Sequence, residues 1–124
     1  MDLILRFGTQ ADTAVVRLFK DRAAPRPEAT LACTVSCSGN EYRTDIAASD
    51  VDELVRLVKS VTVPAAGGCG MGLDGRYYEL TIKDLMAEAT YRWWENPDPG
   101  WEPLVAIADS LLNLGFQVSR RYLR

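Results

Sequence analysis

Residues 73–115 read LDGRYYELTIKDLMAEATYRWWENPDPGWEPLVAIADSLLNLG, and the fold turns on how this stretch is parsed. It contains all three tryptophans and three of the five tyrosines. Asp74-Gly75 predicts a turn. Tyr78, Leu80 and Ile82 then alternate with Tyr77, Glu79, Thr81 and Lys83, the period-two pattern of a half-buried strand. A second strand runs from about Ala87 to Glu95 and is broken by Asn96-Pro97-Asp98-Pro99-Gly100. Pro103 suits the first turn of a helix whose buried stripe is Leu104, Ile107, Ala108 and Leu111. Gly115 is expected at C′, with Phe116 packing back on the last turn.

Working outward toward the N-terminus, Ser49 is the expected N-cap of another helix, over 49–61. Asp50, Asp52 and Glu53 lie in its first turn and Lys59 near its end, in keeping with the helix dipole. Val51, Leu54, Val55 and Val58 supply the i, i+3, i+4, i+7 stripe that packs on a sheet. Val61-Thr62-Val63-Pro64 ends this helix, and AAGGCGMG reads as a flexible connection. Before it, Ala29, Leu31, Cys33, Val35 and Cys37 alternate with Thr30, Thr34 and Ser36. Ser38-Gly39-Asn40 turns the chain and Tyr42, Thr44 and Ile46 alternate again, which makes a hairpin. Pro25 and Pro27 place 23–28 in a loop. Leu3–Phe7 reads as a strand. Residues 13–20 fit either a strand, through Thr13, Val15 and Val16, or a helical face, and the β-branched run favours the strand.

The order is therefore β-strands, helix, two strands, helix. It predicts one α+β domain over 1–124, a mainly antiparallel sheet carrying both helices on one face. A length of 124 residues with 48% apolar composition supports one hydrophobic core. The formal charge of −3 argues against general affinity for nucleic acid or anionic membranes. MDLILRFGTQ has no basic region followed by a long apolar run, so no signal peptide is expected. No apolar stretch approaches the roughly 18 residues that cross a bilayer. Three cysteines without scaffold spacing favour a reducing cytoplasm.

The chemistry available to the chain is narrow. It has no histidine, which removes Ser-His-Asp and Cys-His nucleophiles and HExxH zinc sites. Carboxylates such as Glu79 with Glu88 or Glu95 remain, but exposed structural acids are the simpler reading, and no catalytic residue is assigned. Cys33 and Cys37 share a strand face roughly 13 Å apart, too far to bond, and read as small buried residues. Cys69 lies in a glycine loop. Gly70-Met71-Gly72-Leu73-Asp74-Gly75 matches GxGxxG, yet a strand follows it where dinucleotide binding needs a helix. No cofactor or metal is expected.

The candidate site is a binding surface. Neighbouring residues of a strand point to opposite faces, so Trp93 and Trp94 cannot enter one core, nor can Tyr77 and Tyr78. If Tyr78 and Trp93 are inside, Tyr77 and Trp94 face outward, with Trp101 expected nearby and Arg92 and Glu79 as a polar rim. Such aromatic residues are either covered by a loop or helix, or they anchor a partner. Five acids in 41–53 (Glu41, Asp45, Asp50, Asp52 and Glu53) against one Arg43 form either a solvated face or a patch that steers a basic partner.

The helix over 49–61, LDGRYYELTI, the following strand and PLVAIADSLLNLG resemble the outline of the emfourin family, small bacterial inhibitors of metalloproteases. That outline covers about half the chain, and the added N-terminal hairpin departs from it. LDGRYYEL…YRWWENPDPGWEPL also looks like small bacterial proteins of the immunity type, which bind and silence a cognate toxin. Both resemblances imply a non-enzymatic protein that acts on a protein partner. The expected function is thus that of an immunity protein occluding a toxin's active site. The alternatives are an emfourin-like inhibitor, a small-ligand binder or enzyme using carboxylates, or a homodimer built through a free edge strand.

Overall fold

A computed structural model of the chain describes residues 1–8, 13–23, 25–26, 28–60, 77–84, 87–94 and 100–122, with the side chains of 121 and 122 excepted. The elements run β1 (Asp2–Gly8), β2 (Thr13–Phe19), β3 (Thr30–Cys37), β4 (Asn40–Ala47), a 3₁₀ turn (Ala48–Val51), α1 (Asp52–Ser60), β5 (Tyr77–Asp84), β6 (Ala87–Trp94) and α2 (Glu102–Tyr122). The strands form one six-stranded sheet of order β4-β3-β2-β1-β5-β6, with every neighbouring pair antiparallel. The single domain is therefore α+β in the expected order. Residues 13–19 are a strand, as the β-branched run suggests.

Register explains the core. Leu5 lies between Val16 and Leu80, and Leu3 between Leu18 and Ile82. Cys33 and Val35 continue these rows on β3, and Tyr91 and Trp93 continue those of β5 on β6. One sheet face thus carries the buried residues Leu3, Leu5, Val16, Leu18, Cys33, Val35, Leu80 and Trp93. They pack with Val51, Leu54 and Val58 at α1 and with Leu104, Ile107, Ala108, Leu111 and Val118 of α2. The β3–β4 turn, between paired Cys37 and Asn40, has positive φ at both Ser38 (50°) and Gly39 (81°), matching the twist of a two-residue hairpin.

Three local expectations are corrected. Ser49 is not an N-cap: it lies inside the 3₁₀ turn, whose own cap, Ala47, makes no side-chain hydrogen bond. The Ala48 amide instead donates to the Ala29 carbonyl (2.9 Å), tying the entry of the turn to the start of β3. Gly115 does not end α2, which continues to Tyr122. Leu111, Gly115 and Val118 prolong its buried stripe at helical spacing, so tertiary packing carries the helix through the glycine. Phe116, one residue off that stripe, is 60% exposed rather than folded back. The connection AAGGCGMG with Cys69, the Gly70–Gly75 motif with its Asp74-Gly75 turn, Val61–Pro64, Glu95 and Asn96–Pro99 lie outside the described residues.

Candidate functional site

The second sheet face carries neither helix, because both pack on the other. Alternation sends Ile4 and Arg6 of β1, Val15 and Arg17 of β2, Tyr77 and Glu79 of β5, and Arg92 and Trp94 of β6 to this open side. Tyr77 and Trp94 are direct cross-strand partners with ring centroids 5.6 Å apart and a 56° tilt. Both are half-buried. The Tyr77 hydroxyl is 3.0 Å from the Thr13 hydroxyl, which fixes the phenol at the end of the sheet.

One row further along the strands, Arg92 Nε donates to Glu79 Oε2 at 2.7 Å, and Arg6 Nε lies 4.0 Å from Glu79 Oε1. The next row holds Thr81 and Thr90, hydroxyls 3.0 Å apart, followed by Lys83 opposite Glu88. Glu79 therefore sits between two arginines, and among the described residues no second carboxylate lies beside it. The open face thus offers an aromatic pair flanked by an ion-paired strip, a surface able to bury rings and exchange charged hydrogen bonds with a protein.

The aromatic group differs from the expected one at Trp101. This residue is buried on the helix side, edge-on to Trp93 (6.4 Å) and Tyr91 (5.6 Å). Its carbonyl accepts the Leu104 and Val105 amides (2.9 and 3.2 Å), which pins it at the start of α2. The thickness of the sheet separates it from Trp94. Its indole N–H has no hydrogen-bond partner among the described residues.

The acids do not form one patch with the aromatic pair. Asp45 shares the open face but lies on β4, five strand spacings or roughly 24 Å from β6. It is 3.8 Å from Arg43, which also pairs with Asp21. The Arg43 guanidinium, with the Ala23 amide, holds the Asp21 carboxyl below its ordinary value. Asp50 belongs to the 3₁₀ turn and Asp52 and Glu53 to α1, with Glu53 bonded to Arg56 at 2.9 Å.

A second feature, missed in the sequence, is an apolar cleft of about 370 Å³ where the C-terminal half of α2 crosses the sheet. Phe7, Ala14, Val35, Tyr42, Leu112 and Phe116 line it, with Ser38, Asn40 and Ser119 among its polar groups and no charged residue among those described. Alternation places Phe7, Ala14, Val35 and Tyr42 on one face, but only the continued helix turns them into a concavity. Among the described residues no group of three or more histidine, cysteine, aspartate and glutamate side chains is placed to hold a metal ion. Nor is any described helix long and apolar enough to cross a membrane. No family model, curated protein or solved structure matches the chain.

Proposed function

We propose that the chain is a non-enzymatic inhibitory binding protein, in the manner of an immunity protein, that covers the active site of a cognate bacterial toxin with its open sheet face. The reading rests on one observation: Tyr77 and Trp94 are held together on a sheet face that carries neither helix, beside the Arg6–Glu79–Arg92 strip. The rings supply the apolar centre of an interface and the ion-paired strip its rim. The absence of histidine from the sequence supports a role in binding over acid–base catalysis. An emfourin-like protease inhibitor belongs to the same class and would use the same face. Asp45 and the exposed acids Asp50, Asp52 and Glu53 act on the approach of a basic partner and not in its contact.

The test is co-purification with the products of adjacent genes, followed by binding and protection assays with Trp94→Ala and Tyr77→Ala. Loss of partner binding with an unchanged circular dichroism spectrum supports the reading. Binding retained by the folded double variant would remove it. A second reading, a small apolar ligand in the cleft behind α2, is favoured by its volume and uncharged lining. Fluorescence enhancement of N-phenyl-1-naphthylamine that is abolished by Ala14→Phe distinguishes it.

A further inference from the structure

β6 ends the sheet, and no strand among the described residues pairs with its outer side. α2 begins where Trp101 packs on Tyr91 and Trp93 of β6 and makes its main sheet contacts with β2, β3 and β4. The side chains along β6 have an order that matters when the strand is set antiparallel to itself. Pairing centred on Thr90 places Glu88 of one copy opposite Arg92 of the other, twice by symmetry, and Thr90 opposite Thr90. On the helix side it places Ala89 opposite Tyr91 and Ala87 opposite Trp93, a small residue facing a large one each time. All these pairs join residues of like parity, so both strands present their outward-pointing amides and carbonyls at the same levels.

The complementarity extends into each sheet. Within one copy, Lys83 is the cross-strand partner of Glu88, and Glu79 the bonded partner of Arg92, with Arg6 beyond it. Across the join, the row becomes Lys83, Glu88, then Arg92, Glu79 and Arg6 of the second copy, alternating in sign throughout. The central row becomes Thr81, Thr90, Thr90, Thr81, extending the 3.0 Å threonine pair already present. Shifting the register by two residues opposes Glu88 to Trp94 or to Thr90 and loses both charge pairs.

We propose that the chain forms a two-fold dimer through antiparallel β6–β6 pairing centred on Thr90. The dimer joins two sheets into one of twelve strands and leaves both Tyr77–Trp94 pairs on its open face. A closed isologous contact of this kind uses the same strand twice and stops at two copies.

Sedimentation velocity over a dilution series should show a monomer–dimer equilibrium. Glu88→Arg and Arg92→Glu each oppose like charges at both symmetric positions and are expected to be monomeric at concentrations where the parent is dimeric. Mixed in equal amounts, they regain both opposite pairs and should form a heterodimer. Circular dichroism of each variant establishes that it is folded. In a Cys37→Ser, Cys69→Ser background, Thr90→Cys should cross-link on mild oxidation, whereas Glu88→Cys, whose copies stand about four residues out of register, should not. A parent that stays monomeric throughout, a dimer indifferent to both charge reversals, or cross-linking as fast through Glu88→Cys as through Thr90→Cys overturns the proposal.

Discussion

A β-carbon placed on Gly115 would stand 2.8 Å from Cγ2 of Val16, so α2 approaches β2 as closely as it does only because residue 115 has no side chain. In an exposed helix, replacing glycine by alanine gains about 1 kcal/mol. Here the added methyl meets a stiff, β-branched and fully buried side chain, and overpacking of this kind costs roughly 1–3 kcal/mol. Gly115→Ala should therefore lower stability in urea denaturation by about 1 kcal/mol. Val16→Ala should cost less in the Gly115→Ala background than in the parent, because the two changes compete for one volume. A stabilised Gly115→Ala protein would refute the close-approach account.

The same glycine shows where reading from sequence stopped. A helix C-terminus and a close helix–sheet contact both select glycine, and local pattern does not separate them. Strand alternation, by contrast, set Tyr77 and Tyr78 on opposite faces, and likewise Trp93 and Trp94, because the side-chain period of a strand is two; the register and the core then make Tyr78 and Trp93 the inward members. Trp101 belongs to no strand and has no strand parity, so its side was not legible. Strand order was also hidden: β1 and β5 are neighbours across a helical connection, and alternation records faces and not neighbours. The acids of 41–53 read as one group, but a hairpin strand and a 3₁₀ turn divide them between the two sides of the molecule.

The tryptophans should differ sharply on truncation. Trp101 fills the core between Trp93 and Tyr91, and Trp101→Ala should cost roughly 3–5 kcal/mol. Trp94 is half-buried on the open face and contacts Tyr77 across an edge pair. Trp94→Ala should cost about 1 kcal/mol or less, the range of a cross-strand aromatic pair. Equilibrium unfolding of both variants checks the ordering. Equal losses would mean that Trp94 is as structural as Trp101 and would leave it unsuited to a free surface.

Arg17 holds Asp2 through a fork, Nε to Oδ1 at 3.0 Å and the terminal nitrogen to Oδ2 at 2.7 Å, while its guanidinium lies 4.1 Å from the Phe19 ring centroid. The carboxylate raises the Arg17 pKa. Lysine keeps the charge but supplies neither the fork nor the planar stack. Because Arg17 is partly exposed and solvent weakens the pair, Arg17→Lys should lose only about 0.5–1 kcal/mol. Asp2→Asn should then cost less in the Arg17→Lys background than in the parent. Full stability in Arg17→Lys would show that the fork contributes nothing beyond its charge.

Cys33 is fully buried on β3, and burial pushes its thiol from an ordinary 9.0 up to about 11. The folded chain thus retains a proton that the unfolded chain releases between these values. Stability contributed by the neutral thiol is complete below pH 9, falls as pH rises through the window from 9 to about 11, and levels off above it. Two pH units correspond to on the order of 2–3 kcal/mol. Cys33→Ala loses a sulfur atom from the core and so starts lower at neutral pH, but its stability should fall less steeply over the same window. The difference between the two pH–stability curves isolates Cys33 from every group that the two proteins share. Parallel curves would mean that the thiol ionises as readily in the folded chain as in the unfolded one. The same burial predicts that iodoacetamide at pH 8 leaves Cys33 unmodified until the chain unfolds globally, while half-buried Cys37 reacts in the native state.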